Sequence, residues 1–454
     1  MQAVTLEKRS ISRIALPAIL IAIPVVLFTG AALRCVENIP FWDDYPTLLQ
    51  FTNTIVQSHG IAAKFLYFLA AQDNEYKLFF AHGVTWAEVA LTGRVNFAYI
   101  SLLGDSAVLP MALILWSRFL PKEKDLARRL AFFVPIPWLL FQLQYWEAID
   151  WPVDALQNLW VIVFVMGAIG CLLRPSRKSF AGALILYVLA IGAMGNGLLL
   201  LPLGLLILVR RRQFVRTAAW IAVSAICLAA YAYQYNIMSS QAPPHGSALA
   251  VFLRVHPVYA LAFVGNAGAI AGESRPSVVI SLVLAMLLLA LFGWLLRRGY
   301  AKRNPFVSYC VLFILLTALG VASMRSGLGL KTSVTSRYTI FGVILLIQAW
   351  AAICEEFLHE RHETLLRNTP LWAVIIVSMA FSLSMDLQGY REMSRRKDSI
   401  VQGMAAFEHS PAGRFDGPVQ ASANEPESAT ALRAFFRDVL CESIRLGVYE
   451  PPKF

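Results

Sequence analysis

The chain has 454 residues, of which 58% are apolar and 15% charged, and its mean hydropathy is +0.60. Those figures exclude a disordered or collagen-like chain, and six cysteines are too sparse for a disulfide scaffold. A net charge of +11 would suggest nucleic acid in a soluble protein; in so apolar a chain it reads first as the Lys and Arg that hold membrane loops on the cytoplasmic side.

A bilayer core takes about 20 apolar residues per helix, and such runs recur between short basic loops. Lys8, Arg9 and Arg13 precede the first predicted span at 14–33, which is read as a retained helix because no clean small-residue cleavage site follows and Arg34 precedes Cys35. The next loop, 34–96, is long and external. It opens with Phe41, Trp42, Asp43, Asp44, Tyr45 and Pro46, and its apolar residues then recur at helical spacing on either side of the polar run Asp73, Asn74, Glu75, Tyr76 and Lys77. Amphipathic helices lying at the membrane interface, joined by a polar turn, are expected there. Asp43 and Asp44 read equally as a helix N-cap and as chemical groups.

Spans are predicted at 97–119, 130–147 and 158–173. Asp105 falls inside one of them; facing lipid at mid-bilayer it would cost about 2.5–3.5 kcal/mol, so it should face the interior or sit near the outer end. The short external loop after the third span holds Trp146, Glu147, Asp150, Trp151 and Asp154. Interfacial anchoring explains the tryptophans but not three acids so close to the bilayer. Between Lys178 and Arg210 the apolar stretch is too short for two full spans, yet both ends are basic. Two short helices turning at Gly195, Asn196 and Gly197 would satisfy both facts, the alternative being a single long tilted helix, and such a turn inside the membrane must line a shielded or watery cavity.

Further spans follow at 217–236, 276–296, 305–323, 338–354 and 370–386. The basic clusters from Lys122 to Arg129, Arg174 to Lys178, Arg210 to Arg216 and Arg297 to Arg303 are placed inside. The stretch 250–272, with His256 and Asn266, would break the crossing parity and is expected flat at the outer interface. The total is about eleven helices, N-terminus inside and C-terminus outside. On this reading residues 1–386 form the membrane domain and 387–454 an external tail, with a linker across 410–428 and an amphipathic helix from Ala429 to Arg445.

The loop 324–337 breaks the charge rule, since Arg325, Lys331 and Arg337 lie outside with no acid among them. Three outward cations beside Gly327 and Gly329 suit a phosphate, although pairing with the external acids or with headgroups would also explain them. Cys171, Cys227, Cys310 and Cys354 fall in spans without CxxC spacing and read as core residues. Cys35 and Cys441 both fall on the oxidising side, where a disulfide is permitted. His359 and His362, among four glutamates, read as a solvated face rather than a metal site. No Walker loop, GxGxxG or GxSxG signal is present.

Phe41-Trp42-Asp43, Asn74-Glu75-Tyr76-Lys77, Tyr145-Trp146-Glu147 and Arg325-Ser326-Gly327 leading to Ser336-Arg337-Tyr338 give the chain a resemblance to GT-C-fold membrane glycosyltransferases of bacteria that serve surface polysaccharides. The pattern departs from expectation at Tyr76, where a His would stand. The resemblance covers the membrane part and leaves the tail uncovered. It implies a GT-C-like fold in the bacterial inner membrane and transfer of a sugar from a polyprenyl-phosphate carrier to a glycan or lipid acceptor on the periplasmic face. Asp43, by preference, or Asp44 would be the catalytic base. Trp42, Asn74, Glu75, Lys77, Trp146, Glu147 and Asn196 would bind the sugar, and Arg325, Lys331, Arg337 and Tyr338 the lipid phosphate. No metal is required against a monophosphate leaving group, although the carboxylates could hold a divalent ion. The partners implied are lipid-linked sugar, acceptor and membrane lipid, with no nucleic acid. The alternatives are a polysaccharide polymerase or ligase, and a lipid-linked sugar flippase, which a broken hairpin at Asn196 would also suit.

Overall fold

A computed structural model of the protein describes residues 2–236, 248–358, 369–409 and 426–453. Every regular element among them is helical. In chain order the principal helices are α1 (Gln2–Cys35), α2 (Phe51–Gln57), α3 (Ile61–Ala70), α4 (Phe79–Thr92), α5 (Phe97–Arg118), α6 (Leu126–Tyr145), α7 (Pro152–Leu172), α8 (Arg177–Ala193), α9 (Leu200–Arg210), α10 (Phe214–Ala232), α11 (Ala248–Val264), α12 (Arg275–Arg297), α13 (Pro305–Arg325), α14 (Thr339–Ile353), α15 (Thr369–His409) and α16 (Pro426–Arg445). Nine helices among the described residues are long and apolar enough to cross a membrane, and α8 with α9 adds a shorter apolar pair. Large apolar side chains such as Leu113, Ile226, Leu287 and Val377 stand more than half exposed on these helices. That surface fits hydrocarbon and would be a liability in water. The protein is an all-α, polytopic membrane protein.

The chain divides into two compact units. The first comprises Met1–Ala31, Val108–Trp146 and Gln241–Tyr390; the second comprises Ala32–Ala107, Glu147–Ser240 and Arg391–Phe454.

In the first unit, α11 departs from expectation. Instead of lying flat on a surface, its second half is buried, with Tyr259, Ala262 and Phe263 wholly enclosed as it packs on α12 and α13. The chain then folds inward as a 3-10 turn at Asn266–Gly268. The Asn266 amide donates to the Tyr338 carbonyl at 2.9 Å, and Gln144 donates to the Ala267 carbonyl at 3.0 Å. Gly265 and Gly268 press so closely on the α12 backbone that a side chain at Gly265 would collide with it. Small residues there, which lower the hydropathy of 250–272, thus mark close packing rather than exposure. Asp386, an acid inside a span, accepts from the Leu143 amide at 2.8 Å where α6 breaks.

The second unit has its own core, in which Tyr45, Leu48 and Leu49 of the first loop pack with Phe97, Trp151 and Leu156, and with Ile400, Met404, Phe436 and Tyr449 from the C-terminal part of the chain. The stretch after residue 387 therefore supplies core residues. Far from ending near 386, α15 continues without a break for 41 residues, roughly 60 Å of helix, about twice a bilayer core. Its extension buries Met393, Ile400, Met404 and Phe407 at helical spacing, a period masked in sequence by Arg391, Arg395, Arg396 and Lys397. The expected linker falls largely outside the described residues, while the expected terminal helix is α16. Cys35 is buried, Cys441 is exposed, and both are free thiols. Polar bonds join tail and loop in place of a disulfide: Asn53 donates to the Val439 carbonyl and Gln57 to Glu442. His359 and His362 lie outside the described residues.

The broken hairpin is present in the second unit. Helix α8 has 17 residues and α9 has 11, so neither reaches the roughly 30 Å of a bilayer core. They meet in a 3-10 turn at Gly195–Leu199, where the chain reverses so tightly that a Cβ at Gly197 would strike the Ala190 carbonyl oxygen. Trp220 of α10 lies flat against Tyr187 of α8, with ring centres 4.3 Å apart, and fills the space left by Gly204 of α9.

Candidate functional site

The acids and aromatics singled out in the sequence lie mostly in the second unit. Phe41 to Asp44 form a tight turn: the Phe41 amide donates to the Asp44 carboxylate at 2.8 Å, and the Asp44 amide returns a bond to the Phe41 carbonyl at 2.9 Å. Trp42 takes a positive φ of 43°, a conformation that costs a non-glycine residue about 1–3 kcal/mol and persists only when its surroundings enforce it. Asp44 does part of the enforcing. Wholly buried, it also accepts from the Val153 amide at 3.1 Å, tying the turn to the start of α7. Burial drives its carboxyl well above the usual range, against the two backbone bonds. It does not cap the following helical turn, and both its oxygens are engaged, so its position is that of a brace.

Asp43, half-buried beside it, lies within electrostatic reach of Asp73. Asp73 and Tyr76 exchange backbone bonds of 3.0 and 2.8 Å, closing a small turn in which Asn74 takes a φ of 46°. The Asn74 amide reaches Asp73 at 3.3 Å. Burial pushes the Asp73 carboxyl up to about 7, helped by the negative charges of Asp43 and Glu75. Two turns distant in sequence thus gather Asp43, Asp73 and Glu75 into one acidic group. The Glu75 carbonyl is held by the Tyr235 hydroxyl at 3.0 Å, and Gly195 comes so close that a Cβ there would lie 3.1 Å from the Tyr76 ring. The hairpin tip with Asn196 therefore abuts this polar turn. Both polar atoms of the Asn196 side chain are shielded from solvent and lack a hydrogen-bond partner among the described residues.

Lys77 is placed otherwise than the sequence suggested. It is buried, and its ammonium donates to the carbonyls of Leu69, Ala70 and Tyr233 at 2.6–3.0 Å. All three of its hydrogens are used to cap α3 and fix the end of α10, leaving none for a sugar. Burial lowers its pKa. His82 stacks on Phe51 at 4.2 Å and is neutral, its pKa lowered to about 3 chiefly by burial.

Glu147 and Asp150 face Arg396 of α15, at 3.6 and 2.8 Å. Burial pushes Asp150 up to about 7 despite the guanidinium beside it. Asp105 is 5% exposed, so this intramembrane acid does face the interior. Trp146 belongs to the first unit and is half-buried. Among the described residues no three His, Cys, Asp or Glu side chains form a group suited to a metal ion.

The cations lie in the first unit. Between α13 and α14 the loop is a run of 3-10 turns, Ser326–Leu328, Leu330–Val334 and Ser336–Tyr338, separated by Gly329 at a φ of 101°. Arg325 and Arg337 are half-buried and Lys331 is exposed. The charges of both arginines reach the Tyr259 hydroxyl, which is 3.1 Å from that of Thr332. The guanidinium of Arg337 lies over the Tyr338 ring at 5.5 Å. Glu273, which the sequence reading left aside, accepts from the Thr335 hydroxyl at 2.6 Å. The residues that sequence reasoning missed are thus Asp73, Tyr259 and Arg396. Asp73 stood in the polar run, one residue before Asn74-Glu75-Tyr76-Lys77, and only a contact across the fold singles out the others.

No family model, curated protein or solved structure matches the chain.

Proposed function

We propose that the protein is an inverting membrane glycosyltransferase that takes a sugar from a polyprenyl-phosphate donor and passes it to a glycan or lipid acceptor on the periplasmic face of a bacterial inner membrane. The observation that supports this best is the acidic group of Asp43, Asp73 and Glu75 beside a strained tryptophan turn and an amide with unused bonding capacity. Aromatic faces, carboxylates and amides are the chemistry that holds sugar hydroxyls, and a carboxyl that titrates near neutrality suits a general base. A GT-C-like plan would draw on the nine helices among the described residues that are long and apolar enough to cross a membrane, and on the short pair α8 and α9.

In this reading Asp43 takes the proton of an acceptor hydroxyl as that oxygen forms its bond to the anomeric carbon. The bond from that carbon to the phosphate oxygen breaks, and the electron pair leaves with polyprenyl phosphate. Arg325, Lys331 and Arg337 stabilise the charge gathering on that phosphate. Trp42, Glu75 and Asn196 orient the sugar.

The test is glycosyl transfer by purified protein in lipid vesicles from a polyprenyl-phosphate sugar. Asp43→Asn is expected to lower transfer at least about 100-fold while carrier binding persists. Arg337→Ala is expected to weaken carrier binding about tenfold or more. Transfer that survives Asp43→Asn would instead favour a polymerase or ligase relying on the cations, and movement of the lipid-linked sugar without a new glycosidic bond would favour a flippase.

A further inference from the structure

The second unit holds a largely covered arginine that none of the chemistry above employs. Arg396 projects from the extended part of α15, its side chain 10% exposed. One nitrogen lies 2.8 Å from Asp150 and another 3.6 Å from Glu147. Its planar group also lies over two rings, 4.4 Å from the centre of Phe41 and 5.7 Å from that of Trp151. Those rings meet edge to face at 5.1 Å. Phe41 is the first residue of the strained turn that carries Asp43, and Trp151 stands two residues before Val153, whose amide holds Asp44. The next residue on α15, Lys397, bonds to Glu37 at 2.6 Å and to the Arg34 carbonyl at 2.8 Å, securing the chain that leads into the turn.

We infer that Arg396 is a positioning residue for the Phe41–Asp44 turn, and through it for Asp43. The inference rests on the proposed reading for its catalytic consequence, but not for its structural one. A turn that keeps Trp42 in the left-handed region relaxes unless it is held from more than one side. Asp44 holds its backbone to the start of α7; Arg396 holds its leading ring to the same stretch of chain. Only arginine does both jobs here, because a guanidinium stacks on aromatic faces while its edge bonds to carboxylates, whereas an ammonium is a point charge that favours water. Asp150 and Glu147 serve to orient the guanidinium. The residues after the last span are on this view part of the apparatus that aims the base.

The experiment compares wild type, Arg396→Met and Arg396→Lys, each full-length and in lipid nanodiscs. Hydrogen exchange should quicken in peptides covering residues 39–50 in both variants, with α8 to α10 unchanged. Where wild type transfers sugar, kcat should fall about 100-fold in Arg396→Met with the donor KM within a few-fold, as expected for a misaimed group rather than a lost contact. The lysine variant should recover little. Unchanged exchange at 39–50, or exchange that quickens equally throughout the second unit, overturns the positioning role. A wild type that transfers nothing refutes the glycosyltransferase reading instead, and the exchange result still decides the role of Arg396.

Discussion

Asp73, Asp150 and Glu88 each keep a proton to about pH 7 in the folded protein, where burial raises them from ordinary values of 3.8, 3.8 and 4.5. The unfolded chain would release those protons at the lower values, so folding retains them and these groups favour the fold most at acidic pH. Their contribution is complete below about pH 4 and is lost as pH rises through about 7. The melting temperature in detergent is therefore expected to fall between about pH 5.5 and about pH 8, and Asp73→Asn should flatten part of that slope. A melting temperature that climbs across the interval would refute the assignment. Transfer should move the opposite way, rising with pH as Asp73 beside Asp43 loses its proton. The two lysines among the candidate binding residues also part company. Lys77→Met strands buried carbonyls and should cost about 1–3 kcal/mol in denaturant unfolding. Lys331→Met, on an exposed side chain, should change stability by less than about 0.5 kcal/mol and register in carrier binding.

Helices whose identity depends on run length alone could be read from the chain. The hairpin at Gly195 to Gly197 followed from an apolar stretch too short for two spans and too basic at both ends for one. Its tightness is a contact property: Gly197 faces the Ala190 carbonyl, whereas Gly30, in the interior of α1, has nothing within 4 Å of where a Cβ would stand. Gly197→Ala is thus expected to destabilise by about 1–3 kcal/mol through overpacking, while Gly30→Ala should be neutral or slightly stabilising because alanine prefers a helix interior. Equal effects in a thermal-shift measurement would mean that the reversal is not where the chain is tightest. By contrast α11 and the far half of α15 differ from what their hydropathy suggests. In α11 small residues that serve close packing looked like weak hydropathy. In α15 four cations in seven positions, Arg391 to Lys397, hid the apolar period of Met393, Ile400, Met404 and Phe407.

The sorting of those helices into two units was not legible, because it rests on contacts such as Asn53 with Val439 and Asn38 with Tyr449, nearly four hundred or more residues apart. Hydropathy along a chain carries no information about such pairs. What it does carry is sidedness. The clusters at Arg174 to Lys178 and Arg210 to Arg216 flank the short pair α8 and α9, and moving either across a membrane would oppose the retention of Lys and Arg on the cytoplasmic side. In the proposed orientation Arg325, Lys331 and Arg337 would be the exception, and a periplasmic phosphate site would account for it. Two engineered cysteines test both statements at once in a background where the exposed Cys441 is replaced by Ser. Lys178→Cys and Lys331→Cys both sit on exposed positions. A membrane-impermeant maleimide applied to intact bacterial cells whose outer membrane admits it should label the cysteine at 331 and spare that at 178 until the inner membrane is opened. The reverse pattern would put the cationic loop in the cytosol, where the proposed carrier phosphate is not released, and would refute the periplasmic reaction however well the acids are arranged.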